Sequence, residues 1–415
     1  MAGNTLANLF RDEENQGERR AAVLLKNAVR VKEALGQLKG VPMKIGQMLS
    51  LHEKLFPEEV AQVLRMLQQK APAAPFDDIV AMVRDELGRR FHHIESIDEN
   101  ALAAASIGQV HRARLKDGRD IALKVQYPGI DDVIRADMKN LKGVLKLLFS
   151  MFTRMDMEPV WQELNDRLME ELDYENEAAS MKRMARYFRN DKRIIVPKVI
   201  DKVSSRHVLG MELVLGISPD SLSERVYPQE LKNVWGMSIM RFILEGVFQF
   251  RFLHADPNIA NFSFLENGGI IVYDFGCMKE VPEHLSRGYV RLIHAALKKD
   301  YHLIPEILKS IGVHKADGTP ISQKMVSDFA EVFYEFVEPG DPYTFGDDLK
   351  VYERLQALGF KHIGESMSLV FPKDIIFIDR TFGGHFGNLC RLNATADWRA
   401  ILESYSANAL SKVTS

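Results

Sequence analysis

Apolar residues change their spacing along the chain, and the changes predict its elements. Over residues 18–70 they recur at helical intervals, as at Val23, Leu24, Val29 and Val31, in a background rich in Ala, Leu, Lys, Arg and Gln. That spacing predicts helices, broken at Gly40-Val-Pro42. Lys70-Ala-Pro-Ala-Ala-Pro75 reads as a linker or helix boundary, and a new helix is predicted from Phe76 to Gly88, with Asp77 and Asp78 in its first turn, where carboxylates favour the helix dipole. From about Ser106 to Gln126 the interval shortens toward two. Val110, Ala113 and Leu115 precede a Lys116-Asp117-Gly118 turn, and Ile121, Leu123 and Val125 follow it, the alternation of a β-hairpin. Helices are then predicted from Asp131 to about Met155, from Pro159 to about Phe188, over Lys232 to Phe252 and through most of the chain after Glu283. Short strands are predicted at Ile194–Val196, His207–Leu215, Phe262–Leu265 and Ile270–Tyr273. No repeat of 20–50 residues is visible.

Composition narrows the class. At 415 residues the chain exceeds one average domain, which suggests two lobes or a core with an extension. A net charge of -3 gives no basic footprint, so nucleic acid is not an expected partner. Cys277 and Cys390 are the only cysteines, too few for a disulfide framework or a zinc ribbon. A reducing cytosol fits. The start, Met1-Ala-Gly-Asn-Thr with Asp12, Glu13 and Glu14 close behind, does not read as a signal or transit peptide. The most apolar stretches, Val144 to Phe152 and Phe242 to Leu253, are short and carry Lys146, Glu245 or Arg251, so membrane contact is expected to be peripheral.

The chemistry concentrates in Leu253-His-Ala-Asp-Pro-Asn-Ile-Ala-Asn261 and in Asp274-Phe-Gly276, the latter following the strand-like run Gly269-Gly-Ile-Ile-Val-Tyr273. Asn261 offers a neutral amide oxygen and Asp274 a carboxylate, hard ligands suited to Mg2+ that takes its remaining ligands from water and phosphate. Asp256 is placed to accept the proton of an attacking hydroxyl or water. The interval of five between Asp256 and Asn261, followed by Asp-Phe-Gly, resembles a protein-kinase catalytic loop and metal-binding turn. Each motif alone would more often be an ordinary turn or cap; order, interval and strand context together favour the functional reading. Lys124, in Ile121-Ala-Leu-Lys-Val125 on the second hairpin strand, matches the kinase lysine that contacts phosphate. A strand lysine is usually just solvated. What lifts this one is Glu170-Glu-Leu-Asp-Tyr-Glu-Asn-Glu177, read as one helix with Asp173 and Glu177 a turn apart, a like-charge face that calls for cations. Lys124 is the natural partner for Glu177. Before the hairpin, where a kinase carries its glycine-rich loop, the chain has Ala103, Ala104, Ala105, Ser106, Ile107, Gly108 and Gln109, a stiffer candidate phosphate loop. An alanine run by itself more often makes a helix.

Taken together these residues resemble the UbiB family of atypical kinases, closest in motif to its coenzyme Q branch. Lys44-Ile-Gly-Gln47 matches the family's Lys-x-Gly-Gln motif through Lys44, Gly46 and Gln47; Ala103 to Gln109 matches its Ala-rich loop; Glu171-Leu-Asp173 matches its Glu-x-Asp motif. The resemblance implies an α+β, two-lobed protein-kinase-like fold with a helical N-terminal extension packed over the active site, Lys44 and Gln47 facing Glu171 and Asp173. That arrangement would exclude a protein substrate. It divides the chain into the extension at 1–75, a kinase-like N-lobe with inserted helices at 76–215 and a mainly helical C-lobe at 216–415. The backbone of Glu212, Leu213 and Val214 is the expected adenine-contacting hinge. His254 stands where kinases carry His-Arg-Asp, but Ala255 replaces the arginine, so control by an activation-loop phosphate through that arginine is not expected.

The resemblance further implies ATP or ADP with Mg2+ as cofactors, and an atypical kinase or ATPase supporting ubiquinone biosynthesis. Expected partners are a lipid or quinone precursor, a second copy or a biosynthetic complex, in the cytoplasm and peripheral to the inner membrane. No C-terminal membrane anchor is expected. Two other readings compete: a pseudokinase-type module that binds nucleotide and lipid without turnover, and an aminoglycoside-type phosphotransferase, against which the Lys44 and Ala-rich motifs argue.

Overall fold

The computed structural model describes residues 74–411, apart from Ser106, Asp137, Asn140, Leu141, 144–157, Asp341, Asp347 and Asp348. The expected N-terminal helical extension with Lys44, Gly46 and Gln47, and Ser106 of the Ala-rich loop, lie outside the described residues. Two compact units are formed. Of the described residues, one comprises those up to Asn176 together with Ile200–Met211; the other comprises Glu177–Val199 and those from Glu212 onward.

In the first unit, helix α1 (Phe76–Leu87) buries Ile79, Val83 and Leu87, one residue per turn, which gives it a single apolar stripe. Strand β1 (Ile94–Ala104), β2 (Gly108–Leu115), β3 (Asp120–Gln126) and β5 (Val208–Glu212) form one sheet in that order. The hairpin predicted around Lys116-Asp117-Gly118 is present, and Gly118 takes a left-handed φ of 85° that permits its turn. Alternate residues of β3, Ile121, Leu123 and Val125, join the α1 stripe in one core with Leu115, Val203 and Val208. β1 was not expected: its sequence, Ile-Glu-Ser-Ile-Asp-Glu-Asn-Ala-Leu-Ala-Ala, is largely exposed and lacks period-two alternation because it is an edge strand, irregularly paired with β2.

The helix predicted from Pro159 to Phe188 is in fact two, α2 (Glu158–Glu171) and α3 (Tyr174–Tyr187). Asp173 ends the first and starts the second: its Oδ1 accepts from the backbone N–H groups of Glu175 and Asn176, both at 3.1 Å. An aspartate in that role satisfies helix donors that would otherwise be orphaned. The expectation that Asp173 and Glu177 share one helix face as repelling charges is therefore corrected, since the Asp173 carboxylate is occupied as a cap.

In the second unit, α4 (Gln229–Glu245) runs directly into a π-helical turn, Gly246–Phe250, ended by Arg251 in a left-handed conformation. Two small sheets follow. β6 (Phe252–His254) pairs antiparallel with β9 (Met278–Glu280), and β7 (Phe262–Phe264) pairs with β8 (Ile270–Val272), which also takes β4 (Ile194–Ile195) in parallel. β4, β7 and β8 match the expected strands within a residue or two, the strand expected over His207–Leu215 runs from Val208 to Glu212, and β6 and β9 were not expected, β6 beginning at Phe252 where a helix was predicted to end. The remainder is mainly helical, α5 (Glu283–Lys298), α6 (Ile304–Ser310), α7 (Gln323–Glu335), α8 (Leu349–Lys361), α9 (Lys373–Leu392) and α10 (Trp398–Ser411), with two short antiparallel pairs, His314–Lys315 on Leu369–Val370 and Tyr343–Thr344 on Thr395–Ala396.

Candidate active site

Asn261 and Asp274 are brought together by the β7–β8 hairpin. The ladder pairs Phe262 with Val272 and continues through a 3.0 Å bond from Tyr273 N–H to the Asn261 carbonyl, so Asp274 emerges beside Asn261 one residue past the last pair. The strands sit in a dry setting, with Phe262, Phe264, Ile270 and Val272 at most 1% exposed. Burial of this kind fixes where the polar ends point, because sliding the register by one residue would turn apolar side chains to water.

The loop before β7 is organised around Asp256. Its Oδ1 accepts from Asn258 N–H at 3.2 Å and its Oδ2 from the Asn261 amide Nδ2 at 3.0 Å. Because the amide nitrogen is engaged there, the acceptor that Asn261 can offer to a ligand is its Oδ1. Asp274 accepts on Oδ1 from Gly276 N–H at 3.0 Å, which curls the Asp-Phe-Gly segment into a tight turn. Phe275 is fully buried, and its N–H donates to Glu177 Oε1 at 3.4 Å from α3. His254 Nε2–H donates to the Asp274 carbonyl at 2.6 Å, which sets the tautomer with the proton on Nε2. This histidine therefore ties the loop to the turn.

Several contributors were not identified in the sequence. Asn388 on α9 donates to the Pro257 carbonyl at 2.9 Å, and Gly384 lies so close that a Cβ there would be 2.3 Å from Pro257 Cγ. Helix α9 thus clamps the loop just after Asp256. His385, packed edge-on to Phe262 with centroids 5.6 Å apart, is buried, and burial holds its imidazole down to a pKa of about 3, with nearby His254 acting in the same direction. The signal that could have found them is the Gly383-Gly384-His385 run inside a helical pattern, since glycine there marks close approach.

In the first unit, Lys124 is 7% exposed on β3, opposite Val110, with its Nζ 4.9 Å from the centre of the Tyr174 ring. Its strand neighbour Gln126 donates to the Leu172 carbonyl at 3.0 Å, so the α2–α3 break covers this face of the sheet. Of the Ala-rich segment, Ala103 and Ala104 are the exposed end of β1, and Ala105 N–H donates to the Gly108 carbonyl at 2.9 Å to close the turn. Ile107 and Gln109 are buried. At Gly108 a Cβ would stand 2.1 Å from the Val125 carbonyl oxygen, so glycine is required there by close packing rather than by φ. The expected hinge residues open the second unit. Glu212 N–H donates to the Lys198 carbonyl at 2.8 Å, Leu213 follows half-buried, and the Val214 carbonyl accepts from Tyr273 OH at 2.9 Å. Glu171 ends α2 half-buried.

The donor set at Asn261 and Asp274 is all oxygen, one neutral and one anionic. Among the described residues no group of three His, Cys, Asp or Glu could hold a metal ion alone. Such a pair fits Mg2+, which keeps waters and shares phosphate ligands, and does not fit a transition metal held by a full protein cage.

Comparison with known proteins identifies the family and the fold. Residues 66–308 match the ABC1 atypical kinase-like domain. The zebrafish (Danio rerio) mitochondrial atypical kinase COQ8B is 35% identical over 273 residues, 65% of this chain and 43% of that protein. The mitochondrial atypical kinase COQ8 of Saccharomyces cerevisiae is 30% identical over 279 residues, 66% of this chain and 55% of that protein. The chain thus spans about half the length of these curated relatives. Among solved structures, Rv3197 from Mycobacterium tuberculosis, in a complex with erythromycin, superposes with a TM-score of 0.68 at 26% identity, over 94% of this chain and 97% of that one.

Proposed function

The chain belongs to the ABC1 atypical kinase-like family, with an α+β kinase-like fold, and from that premise we propose that it is a Mg-ATP-dependent atypical kinase or ATPase supporting ubiquinone biosynthesis. The observation that carries the reading is the hydrogen bond from Asn261 to Asp256 at the start of the β7–β8 hairpin, with Asp274 at the hairpin's end. Asn261 and Asp274 would hold Mg2+, which neutralises charge on the transferring phosphate oxygens. Lys124 contacts phosphate as a desolvated amine, and the turn from Ala103 through Ala104, Ala105, Ser106, Ile107 and Gly108 to Gln109 covers it with backbone N–H groups. Asp256, oriented by Asn258 and Asn261, takes the proton from the attacking hydroxyl or water. Glu177 steadies the Asp274–Gly276 turn through Phe275 N–H, and the Glu212–Val214 backbone contacts the base. Lys44, Gly46 and Gln47, with Glu171 and Asp173, would restrict access to small or lipid-linked acceptors. Division at 75 and 215 into extension, N-lobe and C-lobe is part of the same proposal.

Among the described residues no helix is long and apolar enough to cross a membrane, and the proposal places the chain at a membrane surface through peripheral contact with a lipid or quinone precursor. Phosphate release from Mg-ATP, with and without anionic vesicles, tests it. Turnover that disappears in Asp274→Asn while nucleotide no longer stabilises the fold is expected. Nucleotide stabilisation in the parent chain with no phosphate release, vesicles included, would instead establish a non-catalytic nucleotide-binding module.

A further inference from the structure

The C-terminal helices line a half-open apolar pocket of about 360 Å³ that the chemistry above does not use. It is formed within the second unit by α4, α5, α6, α7, α9 and α10, and much of its lining comes after residue 308, beyond the family-matched segment. An apolar recess leaves its walls without dispersion partners on one side, which an apolar occupant would restore. A hollow of this size, walled by Phe329, Phe333, Phe382, Phe386 and Trp398, reaches the lower range of volumes that hold small molecules. The aromatic wall is built as a frame: Phe345 stacks on Phe386 at 5.5 Å and meets Trp398 edge-on at 5.2 Å, so side-chain collapse into the space is restrained.

Within this apolar lining stand Asp379 on α9 and Tyr289 on α5. Tyr289 OH donates to Asp379 Oδ1 at 2.6 Å, and among the described residues that is the one hydrogen bond made to this carboxyl. Its surroundings are costly for it: loss of water raises its pKa, and the tyrosine bond offsets the rise in part. Asp379 is nevertheless solvent-exposed, as a group at the mouth of an open pocket is. A carboxyl with spare acceptor capacity at the edge of an apolar pocket favours an occupant that brings one donor, and it disfavours one that brings another anion.

We propose that this cavity binds an amphiphile with an aliphatic body and a single hydroxyl, whose O–H donates to Asp379 while the chain fills the space among the aromatic rings. Nucleotides and sugars are excluded by the scarcity of polar lining, and fatty carboxylates by repulsion from Asp379. The site is separate from the phosphate chemistry and its test does not require turnover.

Trp398 lies on the cavity wall and provides a reporter. Decan-1-ol, decane and decanoate are titrated against the whole chain, with tryptophan emission and thermal midpoint as readouts. Saturable binding of decan-1-ol at least tenfold tighter than decane or decanoate is expected. Ala296→Phe, which fills the cavity from α5, should abolish the response, and Asp379→Leu should erase the preference for alcohol over alkane while leaving the alkane response. Should Ala296→Phe fail to fold, Asp379→Leu alone decides. Equal binding of decane and decan-1-ol by the parent chain would overturn the proposal. So would an alcohol preference that survives Asp379→Leu, or saturable binding that leaves Trp398 emission unmoved.

Discussion

Lys124 and Asp256 are polar groups held in place by different means. Lys124 occupies a run, Ile121 to Gln126, in which every residue is buried, and its position follows from how β3 packs on β2 and on the α1 core. Asp256 is in a loop with little regular structure and is placed by bonds from Asn258 and Asn261, while α9 holds the following proline. A packed strand tolerates loss of one polar contact and resists any change of volume. A loop set by hydrogen bonds tolerates small volume changes and fails when one donor or acceptor is lost. The two regions should therefore respond oppositely to substitution, in stability for one and in activity for the other.

The largest expected effect tests the loop side. Asp274→Asn should lower phosphate release by about 100-fold or more, the scale for losing one preorganised electrostatic contact, with a melting point close to the parent's. A parallel loss of stability would break the contrast. Next comes the strand side. Gly108→Ala drives a Cβ onto the Val125 carbonyl oxygen, a backbone atom that cannot rotate away, and should cost roughly 3 kcal/mol in urea unfolding. A neutral result would mean that β2 and β3 are not packed as closely as described.

How much of each region was readable follows from the same contrast. The interval from Asp256 to Asn261 and the following Asp274 could be picked out because local hydrogen bonds require fixed residue types at fixed spacings. β3 was legible because Ile121, Leu123 and Val125 alternate. What escaped were contacts whose partners lie far along the chain: Asn388 and Gly384 meet Pro257 from more than a hundred residues away, and no local pattern encodes that meeting. The helix break at Asp173 escaped for another reason. An Asp within an acidic helical stretch reads as surface charge, and its capping role shows only once the Leu172 carbonyl is seen to be taken by Gln126. Asp379 and Tyr289 were invisible as a pair because they lie 90 residues apart on two helices.

Two smaller effects sharpen the comparison. His385 stays neutral in the folded chain to about pH 3, whereas in the unfolded chain it takes up a proton near its ordinary value of 6.5. Its contribution is therefore complete above about pH 6.5, declines as pH falls and stops declining near 3. At pH 4.5 the parent should have lost roughly 2 to 3 kcal/mol through this residue, a loss absent from the acid profile of His385→Asn. Identical slopes for the two proteins would show that His385 is hydrated. The smallest effect is expected at the α3 cap, where Asp173→Ala should cost about 1 kcal/mol in thermal or urea unfolding. A cost indistinguishable from zero would mean that solvent satisfies those amides as well as the carboxylate does.

The π-helical turn at Gly246–Phe250 carries one residue more than an α-helix would need to cover the same path. Excising a single amino acid there, Gln249 for example, would leave the composition nearly unchanged yet restore a 3.6 repeat and swing the emerging chain by roughly 100°. Leu253 and His254 would trade sides of their ribbon, and the imidazole that now reaches the Asp274 carbonyl would be aimed away from it. At this point the gene's length matters more than its spelling: most replacements can be absorbed, whereas a three-base gap cannot.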